Sequence, residues 1–145
     1  MSRVQLALNV GDLDAAVLFY EKLFAAAPAK RRPGYANFVV AEPPLKLVLF
    51  ENPAHAGTLN HLGVEVESTG DVVAATRRLA AQGLDTEVEE GVACCHALQD
   101  KVWVSGADTR WEVYTVLGDA QTASCDFSAA GSKDGAPAQE ACCVH

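Results

Sequence analysis

The chain says the same thing twice. Val4-Gln5-Leu6-Ala7-Leu8-Asn9-Val10 stands near the start, and Asn60-His61-Leu62-Gly63-Val64-Glu65-Val66 stands 56 positions later. Each is an apolar run of strand length that leads into a segment of helical periodicity. Such repetition constrains the fold strongly, because one copy must bury its apolar face against the other. Aligning the copies places Gln5 and His61 at one equivalent position. Two side chains able to bind a metal, related by duplication, suggest a site shared between the halves.

The order of elements is also repeated. In the first copy residues 3–10 read as a strand and Asp12 as a helix N-cap. Leu13, Ala16, Val17, Tyr20, Leu23 and Phe24 then form an apolar face at helical spacing. Residues 29–32, 35–41 and 46–51 read as three further strands, with Pro33-Gly34 and Pro43-Pro44 at the turns. In the second copy residues 60–66 are the strand, 68–71 offer cap chemistry, and Val72, Ala75, Leu79 and Ala80 make the helical stripe. Gly83 is placed to stop that helix. Residues 86–92, 97–105 and 111–116 supply the last strands. The expected fold class is α+β: two tandem βαβββ modules, 1–53 and 58–117, forming a curved mixed sheet around a metal site. From Gly118 small and polar residues dominate, so 118–145 reads as a flexible tail ending in Cys142-Cys143.

Composition removes some functions. The net charge of −8 over 145 residues argues against a nucleic-acid partner, which needs a basic face. No apolar stretch is long enough to cross a membrane, and no secretory pattern opens the chain. A cytoplasmic location is expected, with the five cysteines reduced.

If the modules pack about a pseudo-twofold axis, Gln5 and His61 face each other across the seam. The last strand of each module then lies beside its first. In module two that strand carries Trp111-Glu112-Val113-Tyr114; the matching Leu45-Lys46-Leu47-Val48-Leu49 has no carboxylate. Gln5, His61 and Glu112 are therefore the candidate metal ligands. Three ligands on one side leave coordination positions open, as in the facial arrangement of mononuclear non-haem iron. An amide oxygen, an imidazole and a carboxylate admit Fe(II), Mn(II), Ni(II) or Zn(II). Taken singly, each has an ordinary reading: a strand-edge amide, a hydrogen-bonded histidine, a solvent-facing carboxylate. The repeat is what joins them.

Cys94-Cys95 follows Glu89-Glu90-Gly91. Adjacent cysteines on an extended backbone reach disulfide geometry poorly. They can still pinch one large thiophilic atom, with trivalent arsenic foremost and cadmium, mercury and antimony as competitors. The ordinary reading is one packed thiol and one outward thiol. His96 reads as a surface residue. Cys142-Cys143 reads as a dispensable end, or as a scavenger of the same soft ions.

The repeat of strand, helix and three strands, with ligands on first and last strands, resembles the vicinal oxygen chelate superfamily of glyoxalases, bleomycin-resistance proteins and extradiol dioxygenases. Within it, Pro33-Gly34-Tyr35-Ala36-Asn37-Phe38, Thr58-Leu59-Asn60-His61-Leu62-Gly63-Val64-Glu65-Val66, Cys94-Cys95, Gln99-Asp100-Lys101-Val102-Trp103-Val104 and Arg110-Trp111-Glu112-Val113-Tyr114 resemble the ArsI-type organoarsenical C–As lyases and their CadI-like relatives. The likeness spans about residues 1–118. It implies Fe(II) as cofactor on Gln5, His61 and Glu112, with Ni, Co, Mn or Zn able to substitute. It implies Cys94 and Cys95 as substrate-binding and catalytic thiols. It implies dioxygen-dependent cleavage of trivalent organoarsenicals, methylarsenite and aromatic arsenicals, to arsenite, for arsenic detoxification. Such a site can form in a monomer or a homodimer. Two other functions fit the same residues: a cadmium or arsenite sequestrant without turnover, and a glyoxalase-like Lewis-acid metalloenzyme.

Overall fold

The computed structural model describes residues 2–120. The elements run β1 (Arg3–Val10), α1 (Leu13–Phe24), β2 (Lys30–Arg32), β3 (Tyr35–Val40), β4 (Leu45–Glu51), a 3-10 turn (Pro53–His55), β5 (Leu59–Glu65), α2 (Thr69–Ala81), β6 (Thr86–Cys94), β7 (Ala97–Gly106) and β8 (Thr109–Asp119). The two βαβββ modules share one curled mixed sheet of eight strands in the order β2-β3-β4-β1-β5-β8-β7-β6. Within each module the first and last strands run parallel, β1 with β4 and β5 with β8. Between modules β1 runs antiparallel to β5.

The seam carries the duplication. Gln5 pairs with Gly63, and Ala7 pairs with His61. Moving Gln5 forward and Gly63 back by the 56-residue offset turns the first pair into the second, which is the signature of a twofold relation. The same relation sets Glu112, opposite Gly63, against Val48, opposite Ala7. A carboxylate therefore stands on one side of the seam and a buried aliphatic on the other.

Local chemistry explains the elements. Asp12 Oδ1 accepts from the Ala15 N–H at 3.1 Å and caps α1. Ser68 Oγ does the same for α2 through the Asp71 N–H at 3.2 Å. Gly83, at φ 75°, ends α2. Its N–H donates to the Ala80 carbonyl and that of Leu84 to the Leu79 carbonyl, the paired bonds of a Schellman stop. Both helices cover one face of the sheet: Leu13 and Val17 pack near Phe38, Leu47 and Leu49, and Val72 and Leu79 near Val102. Alternation along the strands then sends Gln5, Ala7, His61 and Glu112 to the other, concave face.

Two details differ from the sequence reading. Leu23 does not join the buried face of α1 but is 57% exposed, with Leu18 and Phe19 beside it on the outer side. At roughly 100° per residue, Leu23 lies about 120° from Val17, outside the packed stripe. Strand β8 also continues past Gly118 to Asp119, which pairs with Ala97. The composition there is that of a tail, but β7 offers an edge and Lys30 an ion pair for Asp119. Cys125 and Cys142-Cys143, with the rest of the expected tail, lie outside the described residues. No helix among the described residues is long and apolar enough to cross a membrane.

Candidate metal and thiol site

Four neighbouring strands deliver the polar core. Gln5 comes from β1, His61 from β5, Glu112 from β8 and Lys101 from β7; none is more than 5% exposed. Gln5 Nε2 donates to Glu112 Oε1 at 2.8 Å and lies 3.3 Å from His61 Nε2. His61 Nε2 lies 3.3 Å from the same Glu112 Oε1. Side chains separated by more than a hundred residues thus meet at three atoms. Among the described residues no three His, Cys, Asp or Glu side chains gather; this trio is completed by an amide.

Each member is held from behind. His61 Nδ1 is 2.8 Å from Asn60 Oδ1, which requires the proton on Nδ1 and leaves Nε2 as a lone-pair donor. Asn60 Nδ2 in turn donates to Asn9 Oδ1 at 3.1 Å. The Tyr114 hydroxyl donates to Gln5 Oε1. Glu112 Oε2 accepts from Lys101 Nζ at 2.7 Å, which leaves Oε1 facing His61 and Gln5.

The donor set fits a divalent metal. His61 presents the tautomer that ligation at Nε2 needs. Glu112 offers one oxygen while its other is occupied. Gln5 would turn its amide so that Oε1 faces Glu112 and His61. Amide O and N are nearly isosteric, and Tyr114 can accept from Nε2 as it now donates to Oε1, so the turned amide keeps Tyr114 while Oε1, facing two acceptors, would be satisfied by the metal. Burial disfavours the ionised Glu112, but the Lys101 ammonium outweighs it and holds the carboxyl far below the usual range. Burial likewise opposes the charge on Lys101, and Glu112 with the nearby Cys94 and Cys95 sulfurs reverses that, raising its pKa. The buried Tyr114 phenol is pushed up and stays neutral.

Gly63 makes the convergence possible. A Cβ there would stand 3.1 Å from Glu112 Cγ and 3.3 Å from Gln5 Nε2. Gly63→Ala is expected to displace both side chains by a few tenths of an ångström and cost about 1–3 kcal/mol. Metal content after reconstitution should fall with it; full occupancy at wild-type affinity would show that the cradle is looser than its geometry.

The thiols come from the tip of the β6–β7 hairpin. Cys95 and His96 form a two-residue connection with φ of 53° and 65°. That is the pattern of the primed hairpin turns, which glycine and asparagine favour. Neither residue is glycine, and such non-glycine conformations often mark functional sites. The turn also overcomes the extended-chain objection to adjacent cysteines: Cys94 Sγ and Cys95 Sγ are 3.3 Å apart. Cys94 is fully buried, and Cys95 packs against the cluster of Ala7, Tyr35, Val48 and Phe50 from module one. The Lys30 ammonium donates to the His96 carbonyl at 2.9 Å, and the Tyr35 and His96 rings lie 5.1 Å apart. His96, expected at the surface, is 8% exposed because the hairpin tip folds onto module one. Burial and the nearby Arg32 and Lys30 lower its pKa.

One cavity of about 190 Å³ is lined by Gln5, His61 and Glu112 and also by Cys95. The candidate ligands and the thiol therefore face a shared space, whose lining also includes Tyr35 and Phe50. Sequence reasoning missed Lys101, Tyr114, Asn60 and Gln99. Lys101 carried little signal, because it follows Gln99 and Asp100 in β7 and a charge among polar neighbours reads as solvent-facing. The others carried no signal of their own.

Comparison with known proteins agrees with this architecture. Residues 3–109 match the Glyoxalase/Bleomycin resistance protein/Dioxygenase superfamily, a span that stops just short of Glu112. The chain is 66% identical over 123 residues to the cadmium-induced protein CadI of Mycobacterium tuberculosis, covering 84% of this chain and 81% of that one. It is 60% identical over 132 residues to a trivalent organoarsenical cleaving enzyme of Thermomonospora curvata, covering 89% and 87%. In fold alone it is similar to an extradiol ring-cleaving dioxygenase from B. fuscum, with TM-score 0.59 and 18% identity over 83% of this chain and 34% of that one. A concave site on a duplicated βαβββ sheet, together with identity of this extent, places the chain in the Glyoxalase/Bleomycin resistance protein/Dioxygenase superfamily, in the branch that holds CadI and the trivalent organoarsenical cleaving enzymes.

Proposed function

We propose that this protein cleaves the carbon–arsenic bond of trivalent organoarsenicals, using Fe(II) on Gln5, His61 and Glu112 and dioxygen as oxidant. The observation that carries the reading is the shared cavity, with a metal-type donor set and a vicinal thiol opening onto one space. The name of the relative at 60% identity supports the substrate class.

The thiols act first. Cys94 and Cys95 exchange for the two hydroxyls of R–As(OH)2, giving R–As(S-Cys)2 and two waters. The 3.3 Å sulfur separation suits two bonds to one large atom. The exchange fixes arsenic beside the metal ligands and replaces a bimolecular encounter with a local one. Bound Fe(II) would supply the redox chemistry toward dioxygen. Lys101 keeps Glu112 ionised and turned, Asn60 keeps the His61 tautomer, and Tyr114 keeps Gln5 in place. Tyr35, Val48 and Phe50 give the organic substituent an apolar wall and exclude water.

The test is arsenic speciation. Fe(II)-loaded protein incubated with methylarsenite should release arsenite over many turnovers, with oxygen and not without it. The cadmium-induced relative favours a second reading, sequestration of a soft ion by the same thiols. Methylarsenite bound at fixed stoichiometry and recovered unchanged would establish that reading instead.

A further inference from the structure

Gln99 is one of two buried side chains near the thiols, with His96, that leave a polar atom without a hydrogen-bond partner among the described residues. It sits on β7 opposite Val92 of β6, is 5% exposed, and lines the cavity shared by Cys95 and the metal ligands. Its Nε2 donates to the Cys94 carbonyl at 3.3 Å. That bond fixes the amide, since the opposite orientation would set two carbonyl oxygens against each other. Oε1 then has no hydrogen-bond partner among the described residues. A buried acceptor without a donor is costly and is seldom left so without a role. This one belongs to the residue that grips the backbone of a substrate-holding thiol.

Resting on the proposed thiol role, we propose that Gln99 Oε1 accepts a hydrogen bond from a hydroxyl on arsenic held by Cys94 and Cys95. The stoichiometry says which species carries one. Arsenite reacts as As(OH)3 + 2 Cys-SH → (Cys-S)2As–OH + 2 H2O and keeps a hydroxyl. Methylarsenite reacts as CH3As(OH)2 + 2 Cys-SH → (Cys-S)2As–CH3 + 2 H2O and keeps none. Gln99 is thus a reader of the cleaved state. Its acceptor is met once the organic group on arsenic has been replaced by hydroxyl, and it holds the inorganic product on the thiols.

The experiment compares binding of the two arsenicals without oxygen, so that neither is consumed. It uses the full chain with Cys125→Ser, Cys142→Ser and Cys143→Ser, which leaves Cys94 and Cys95 as its thiols. Gln99→Met, which keeps length but removes the acceptor together with the donor to Cys94, should weaken arsenite about tenfold more than it weakens methylarsenite, equal to about 1.4 kcal/mol of selectivity. Gln99→Asn, which withdraws the acceptor by one methylene, should show the same selective loss and covers any misfolding of the first variant. Equal weakening of both ligands would make Gln99 a brace for the hairpin and overturn the proposal. So would unchanged arsenite affinity in both variants. Failure of the thiol reading is distinct: the parent protein would then bind neither arsenical, and this role would fall with it.

Discussion

Cys95→Ser is expected to lower conversion of methylarsenite to arsenite by at least about a thousandfold, within the reach of lost proximity, with iron content unchanged. The serine oxygen fits the same turn but forms no durable bond to trivalent arsenic. Cys95 is half-buried, so the exchange leaves little polar burial behind. Its sulfur is not one of the atoms that meet at Glu112 Oε1, so the proposed metal ligands keep their partners. Cys94→Ser should lose as much activity and in addition some stability. Cys94 is fully buried, and a hydroxyl there without a good partner costs about 1–3 kcal/mol. Arsenic speciation over a time course, with metal analysis of the same samples, reads both effects. Turnover within tenfold of the parent in Cys95→Ser would remove the thiol pair from the mechanism and leave metal chemistry alone in the cavity.

The duplication made most of the fold legible. Strand 60–66 could be read because it repeats strand 4–10, and the 56-residue offset that aligns Gln5 with His61 also relates the Gln5–Gly63 pair across the seam to the Ala7–His61 pair. Glu112 followed from the rule that the last strand of a module lies beside its first. Sequence was silent where contacts depend on curvature. The β6–β7 tip reaches module one only because the sheet curls, and that brings His96 against Tyr35 and Cys95 against Phe50. Nothing in the string Cys94-Cys95-His96 signals the positive φ angles that bring the sulfurs together, because neither glycine nor asparagine is present. Gln99 and Lys101 lie on either side of Asp100 in β7, where residues 99–103 are all buried instead of alternating with solvent-facing ones. The outer face of α1 shows the opposite error: Leu23 is apolar and helical yet falls outside the packed stripe.

Glu112→Ala is expected to abolish stable metal binding and also to destabilise the metal-free fold, and the two effects must be separated. The alanine removes one of the three proposed ligands and leaves Gln5 Nε2 and Lys101 Nζ without their acceptors. An uncompensated buried ammonium alone costs about 3–5 kcal/mol. In a domain of this size that lowers Tm by roughly 10 °C or more. Loss of metal from such a protein would prove little, since a loosened seam releases any ion. The double variant Glu112→Leu with Lys101→Met, which puts no donor atom at position 112, resolves this. Both buried charges go together, volume is kept, and the neutral pair of side chains costs little or even stabilises. If Glu112 is a ligand, the double variant melts close to the parent without metal yet fails to retain iron on gel filtration. If Glu112 serves only to neutralise Lys101, the double variant takes up iron as the parent does. The second result would leave His61 and Gln5 as the ligands on this chain, too few for the facial arrangement, and the iron assignment would fall.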